Sequence, residues 1–300
     1  MWYSYGCRVG DLRQGKDFFF EKKKQKTFVW LSQVVTASSV EVDRHVWNGG
    51  ASALGTRSLA EETAIALTYN RITHAVMMAT PANLEDFALG FSLSEGIVPN
   101  ASAIEDLTVV EAEGGLELRM WIAPALMEAL ERRRRRLAGA TGCGMCGLES
   151  LGEALRPIPA VPQGQSYTHA EIHQAAGTLS AAQPLNHLTR AVHAAGFWTR
   201  QQGIVAVRED VGRHNALDKL SGALARNGHA AQDGIVLLTS RISIELVQKA
   251  ARMGASILVA VSAPTALAVR AADSAGITVI GIARSDGFEV FTGSGRITAA

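Results

Sequence analysis

Ile235-Val236-Leu237-Leu238, Ile257-Leu258-Val259-Ala260-Val261 and Ile277-Thr278-Val279-Ile280 are three short, continuously apolar runs. A strand with one wet face alternates polar and apolar residues, so runs of this kind read as strands buried on both faces, as in a parallel sheet. Working outward, Ile235–Thr239, Ser256–Val261 and Ile277–Ile282 are the strands, and helical patterns fill Arg213–Arg226, Ser243–Met253 and Thr265–Ser274. Alternation of this kind argues for a layered α/β unit. A strand pair at Ala191–Trp198 and Gly203–Arg208 leads into it. Ligands of such units gather beyond the carboxyl ends of the strands. Those ends carry Arg208-Glu209-Asp210, Ser240-Arg241, Ser262-Ala263-Pro264-Thr265 and Arg284-Ser285-Asp286-Gly287, a rim suited to an anionic ligand.

The first half is organised differently. Ordered structure is expected from about Glu61, with strands at Thr63–Tyr69 and Ile72–Ala79 around Asn70-Arg71. Pro81–Asp86 opens an amphipathic helix with Leu84, Phe87, Ala88 and Phe91 on one face. Leu107–Val110 and Leu116–Trp121 read as a second strand pair, and Pro124 starts a helix running to about Arg136. A glycine-rich loop follows, Ala138 to Gly147, and then a short helix over Leu148–Leu155. Pro157, Pro159 and Pro162 mark the best domain boundary. The expected division is 1–55 as a poorly ordered extension, 56–165 as a smaller N-terminal α+β domain, and 166–300 as the C-terminal α/β domain.

Composition bounds what such a chain does. Of its 300 residues 47% are hydrophobic and 19% charged, which excludes a disordered or coiled-coil chain. A net charge of +1 gives no global field directed at nucleic acid or membrane. Three cysteines make no disulfide framework, and no apolar run approaches the roughly 20 residues of a spanning helix. A cytoplasmic protein is the expectation. The first fifty residues stand apart: they hold nine of the eighteen aromatics and five of the seven lysines. They lack the basic start, apolar stretch and small-residue cleavage site of a signal peptide. They read as an extension, as residues upstream of the true start, or as a basic aromatic segment that docks a partner or lipid surface.

Gly142-Cys143-Gly144-Met145-Cys146-Gly147 satisfies two patterns at once. As a dinucleotide fingerprint it needs a strand before it and a long helix after it, whereas a helix carrying Arg132–Arg136 precedes it. As a zinc site the cysteine pair lacks partners, because the only other cysteine is Cys7 and His169, His173 and His187 are not spaced as ligands. His169-Ala170-Glu171 has the deaminase tripeptide but follows the cysteines instead of preceding them. A thioredoxin-like dithiol would need a compact βαβ context. What remains is two thiols among four glycines, where backbone freedom lets a large molecule approach. A following helix N-terminus and the arginines both favour the thiolate, which suits a cysteine that attacks a sulfur donor and carries the sulfur as a persulfide. Buried core thiols are the competing reading, opposed by the glycines.

Other residues admit plain structural readings. The arginine run points around its whole helix, so part of it faces solvent, and part could meet phosphate or an acidic partner. Asp210 reads as a cap for the helix that holds Arg213 and His214, and His193 reads as a core histidine. Of Met77 and Met78, alternating on a strand, one belongs in the core and the other can face a domain interface.

Several segments together resemble the formate dehydrogenase accessory sulfurtransferase family (FdhD). They are Glu62 with Tyr69-Asn70, His74 to Pro81, Leu84 to Ile97, Thr141 to Gly147, Glu209 to Lys219, Ser240-Arg241 and Val261 to Thr265, spread from about Glu61 to Arg296. The resemblance implies a sulfurtransferase that accepts sulfur from a cysteine desulfurase and passes it to the molybdenum or tungsten bis-guanine-dinucleotide cofactor of formate dehydrogenase. Mo-bis(molybdopterin guanine dinucleotide) is then a bound substrate, and no tightly held metal is implied. The persulfide carrier maps onto Cys143, with Cys146 assisting or relaying. The cofactor-contacting segment maps onto Ile282, Ala283, Arg284, Ser285, Asp286 and Gly287, where Arg284 and the backbone around Gly287 could bind phosphate or guanine. A homodimer and a C-terminal domain resembling the cytidine deaminase fold without its zinc are also implied. This chain departs from the pattern at Ala64, where relatives often have proline, and at Asp286-Gly287, where they often have Gly-Arg. Two other classes stay open: a non-catalytic cofactor chaperone, and a dithiol oxidoreductase cycling a Cys143–Cys146 disulfide.

Overall fold

The computed structural model describes residues 37–138 and 157–299, with side chains 133–138 left aside. Strands β1 (Ser39–Asn48) and β2 (Ala51–Ala60) form an antiparallel hairpin turned by Gly49 and Gly50 at φ +57° and +87°. This corrects the expected start of order near Glu61. The hairpin buries little, with Trp47 and Leu54 exposed, so apolar alternation is weak; its legible sign is the Asn48-Gly49-Gly50 turn.

Strands β3 (Thr63–Tyr69) and β4 (Ile72–Ala79) lie where expected, followed by α1 (Leu84–Ser94), β5 (Ile104–Ala112), β6 (Gly115–Ile122) and α2 (Pro124–Ala138). The sheet order is β4-β3-β6-β5. Alternation puts Ile65, Leu67, Leu116, Leu118 and Met120 on one face, where they pack with Phe87 and Phe91 of α1. Met77 joins this core from its rim and Met78 is half exposed.

The second half begins with β7 (Tyr167–Thr168), α3 (His169–Ala181), α4 (Pro184–Thr189), β8 (His193–Thr199) and β9 (Gly203–Asp210). The expected alternation follows: α5 (Arg213–Asn227), β10 (Ile235–Leu238), α6 (Ile244–Met253), β11 (Ile257–Ala260), α7 (Ala266–Ala275) and β12 (Thr278–Arg284). Strands β13 (Gly287–Val290) and β14 (Ile297–Thr298) close the chain. The large sheet runs β13-β12-β11-β10-β8-β9, and its central strands β10, β11 and β12 are parallel. All residues of β10 and β11 are buried, because α5, α6 and α7 cover one face and α3 the other.

Helices α1 and α5 join the two sheets at very close range. A Cβ on Gly90 would strike the carbonyl oxygen of Asp218, and one on Gly222 that of Asp86. Polar bonds surround this crossing. Asp86 takes Arg208 and Arg226, each at 2.7 Å, and Asp218 takes Lys249 at 2.9 Å and Ser94 at 2.6 Å. Asp210 takes Lys219 at 2.6 Å, and Lys219 also donates to Thr80 O at 2.8 Å.

Candidate functional site

The carboxyl ends of β9, β10, β11 and β12 share one end of the large sheet, as the pairing registers require. The ledge is tied across by backbone hydrogen bonds: Thr265 N donates to Ile242 O at 2.9 Å and Ile282 N to Ser262 O at 3.3 Å. The expected rim is nevertheless only partly available to a ligand. Arg208 is committed to Asp86. The Glu209 carboxylate accepts from Leu185 N at 2.9 Å and Asn186 N at 2.7 Å, capping α4. Asp210 accepts from Gly212 N at 2.8 Å, as a cap would, but it is wholly buried and its main partner is Lys219. The idea of an open anionic-ligand rim is corrected for these three: Asp86, the start of α4 and Lys219 claim them first.

Arg213 and His214 are different. Every other polar side chain from Glu209 to Lys219 is bonded, whereas Arg213 Nε and His214 Nε2 are buried without a hydrogen-bond partner. His214 Nε2 stands 3.9 Å from Glu245 Oε2, beyond hydrogen-bond range. Burial, then the charge of Arg213, hold the imidazole pKa down to about 4 against the pull of Glu245, so the ring is neutral at pH 7. Unfolded histidine titrates near ~6.5, so the unfolded chain takes up this proton first. The contribution of His214 is therefore full above pH 6.5 and is lost as pH falls toward 4. Proton NMR should show the His214 ring unprotonated at pH 5.5; a midpoint at or above 6.5 contradicts this. His193, at the start of β8, is half-buried and its pKa is lowered by burial and by Arg213.

The end of β12 and the turn after it hold the second group of residues expected from the sequence, Ile282 to Gly287. The β12–β13 register slips between Gly281 and Arg284, forming a bulge. Ile282 sits there at φ +52°, a conformation that a β-branched residue rarely adopts and that costs about 1–3 kcal/mol. Such strain persists only where the surroundings impose it, and it gathers at binding sites. The surroundings here are the Ser262 carbonyl, the buried side chain of Ala283 and the crowding around Gly281, whose Cβ would come within 2.9 Å of both Pro264 and Phe291. Arg284, Ser285 and Asp286 are exposed at the tip and Gly287 is half-buried.

Cys143 and Cys146 lie outside the described residues, as do Cys7 and the helix expected at Leu148–Leu155. Of the arginine run, Arg132 is exposed and 3.5 Å from Glu128. No three His, Cys, Asp or Glu residues are placed to hold a metal among the described residues. Glu171 is used instead in the α3 capping box with Thr168 and in an ion pair with Arg200. Sequence reasoning missed what His169 and His173 do: His173 bonds to Ser285 O in the turn after β12, and His169 stacks on Phe288 of β13. The signal was Thr168-x-x-Glu171, which starts a helix and puts residues four apart on one face.

Fold and rim together define an α/β protein with polar groups gathered at the carboxyl ends of a mixed sheet and a strained bulge beside them. The chain belongs to the FdhD/NarQ family, which matches residues 60–298. It is 50% identical over 264 residues to a "Sulfur carrier protein FdhD" of Agrobacterium fabrum, covering 88% of this chain and 97% of the relative. A protein of the same name from Cupriavidus necator is 50% identical over 264 residues, covering 87% and 90%. The fold matches a crystal structure from Desulfotalea psychrophila described as a formate dehydrogenase accessory protein, at TM-score 0.70 and 24% identity, covering 87% of this chain and 100% of that one.

Proposed function

We propose that this chain carries sulfur in formate dehydrogenase maturation, as a persulfide on Cys143. A cysteine desulfurase supplies the sulfur, and Mo-bis(molybdopterin guanine dinucleotide), bound as substrate, receives it. The relatives' name supports sulfur carriage, and the thiols among glycines at Gly142–Gly147 supply the chemistry. The structural observation that carries the cofactor half of the reading is the strained, anchored turn at Ile282, on the segment that the family resemblance assigns to the cofactor. No helix among the described residues is long and apolar enough to cross a membrane; a homodimer working in the cytoplasm fits the same reading.

In the loading step the Cys143 thiolate attacks the outer sulfur of a donor persulfide. The donor S–S bond breaks, the donor cysteine leaves as thiolate, and Cys143 keeps the sulfane sulfur, so no outside oxidant is needed. Cys146 is the neighbouring thiol that can assist release. The metal of the bound substrate supplies the electrophile that finally takes the sulfur.

Incubating the full chain with a cysteine desulfurase and cysteine, then weighing it by mass spectrometry, tests this. The wild type and Cys146→Ala gain one sulfur atom, and Cys143→Ala gains none. Normal loading of Cys143→Ala removes Cys143 as carrier. A wild type that binds the guanine dinucleotide but never gains sulfur is a chaperone instead.

A further inference from the structure

Strands β1 and β2 form a sheet of their own. They are ten residues each, pair without a bulge from Ser39–Ala60 to Asn48–Ala51, and have no third strand among the described residues. Two strands alone are marginally stable in water; three or more with an apolar face are needed. The base is tied to the body, where Arg57 Nη2 donates to Thr189 O of α4 at 3.2 Å. Toward the tip, Trp47 is 71% exposed and Leu54 77%.

The two edges differ. β1 carries Glu41, Asp43 and Arg44, charges of the kind that keep an edge from pairing. From Ala51 to Thr56, β2 has no charge, no proline and no bulge. The turn has two residues, so Asn48 and Ala51 exchange the first ladder bonds, and the N–H and C=O groups of Ser52, Leu54 and Thr56 point away from β1. Leu54 lies opposite His45, with Trp47 as its diagonal neighbour on the same face.

We propose that the β2 strands of two copies of this chain pair antiparallel about a two-fold axis through Leu54, joining the hairpins into one four-stranded sheet. This names the contact of the homodimer in the proposed function and does not depend on sulfur carriage. Leu54 then faces Leu54 of the partner subunit, and Ser52 faces Thr56 of the partner subunit, so every outward N–H of the three meets an outward carbonyl. The edge itself selects a second copy. Two uncharged edges bring no like charges together, and a two-fold pairing closes instead of growing into a fibre. Two ten-residue strands give each copy close to the roughly 20–30 residues a side of a stable interface. The β4 edge has less need of a partner, because its four-stranded sheet already packs on α1.

Sedimentation velocity of the full chain over a wide concentration range tests this. The wild type should be a dimer. Leu54→Lys and Leu54→Glu should each weaken it by about tenfold or more, as like charges facing each other in an interface do, with far-UV circular dichroism unchanged because Leu54 supports no core. Mixing the two variants should restore the dimer, since opposite charges then meet across the axis. A wild type that stays monomeric leaves the edge to a strand of another protein and overturns the proposal. So does a Leu54→Lys dimer as tight as the wild type, or a mixture that stays monomeric. Sulfur loading followed by mass is read separately, so a monomer that still gains sulfur overturns the pairing alone.

Discussion

Gly90→Ala destabilises this protein by about 3 kcal/mol or more, the upper end of overpacking effects, read as a fall in the urea midpoint. The added Cβ would meet the carbonyl of Asp218 and come within 2.7 Å of the Gly222 nitrogen. Both are backbone atoms of α5, so no rotamer change relieves the contact and the helices must part. Parting them stretches Ser94–Asp218 and Asp86–Arg208, whose lengths are 2.6 and 2.7 Å. Alanine is the better helix former by about 1 kcal/mol, which offsets only part of this. Gly177→Ala is the control, because α3 leaves nothing within 4 Å of that Cβ; it should stabilise by about 0.5–1 kcal/mol. A Gly90→Ala variant as stable as the wild type would show that the crossing is looser than described.

Lys219→Met carries the other large effect, a loss of about 3–5 kcal/mol. Lys219 and Asp210 are both 0% exposed and 2.6 Å apart. Removing the cation leaves a carboxylate that still accepts from Thr80 N, Gly212 N and Asn215 Nδ2 but has no counter-charge. Adding Asp210→Asn to Lys219→Met removes that unpaired charge and should recover part of the loss. A double variant weaker than the sum of its singles would contradict the pairing.

The polar residues of Glu209–Lys219 show why a motif does not reveal its own use. As sequence they look like one cluster beside a strand end. In the fold, Asp210, Asp218 and Lys219 turn toward α1, α6 and the end of β4, while Arg213 and His214 keep buried nitrogens without partners on the rim. The partner of Arg208 is Asp86, 122 residues earlier, and no local pattern names it. Gly90 and Gly222 inside helices read as weak points for the same reason: the close crossing that requires them exists only once the sheets are assembled. The strain at Ile282 was equally invisible, since nothing in its neighbours signals a positive φ.

By itself the amino-acid order determined the parallel strands, the helices between them, the strand pairs of the first half and the family, because periodicity and motif spacing are properties of short stretches. Tertiary structure alone decided which charges are locked away, which remain on the rim, and that two histidines of α3 pack on the β12–β13 hairpin. Several of those outcomes depend on contacts between residues more than one hundred positions apart, such as His173 with Ser285 and Arg208 with Asp86, and such distances carry no imprint in local sequence.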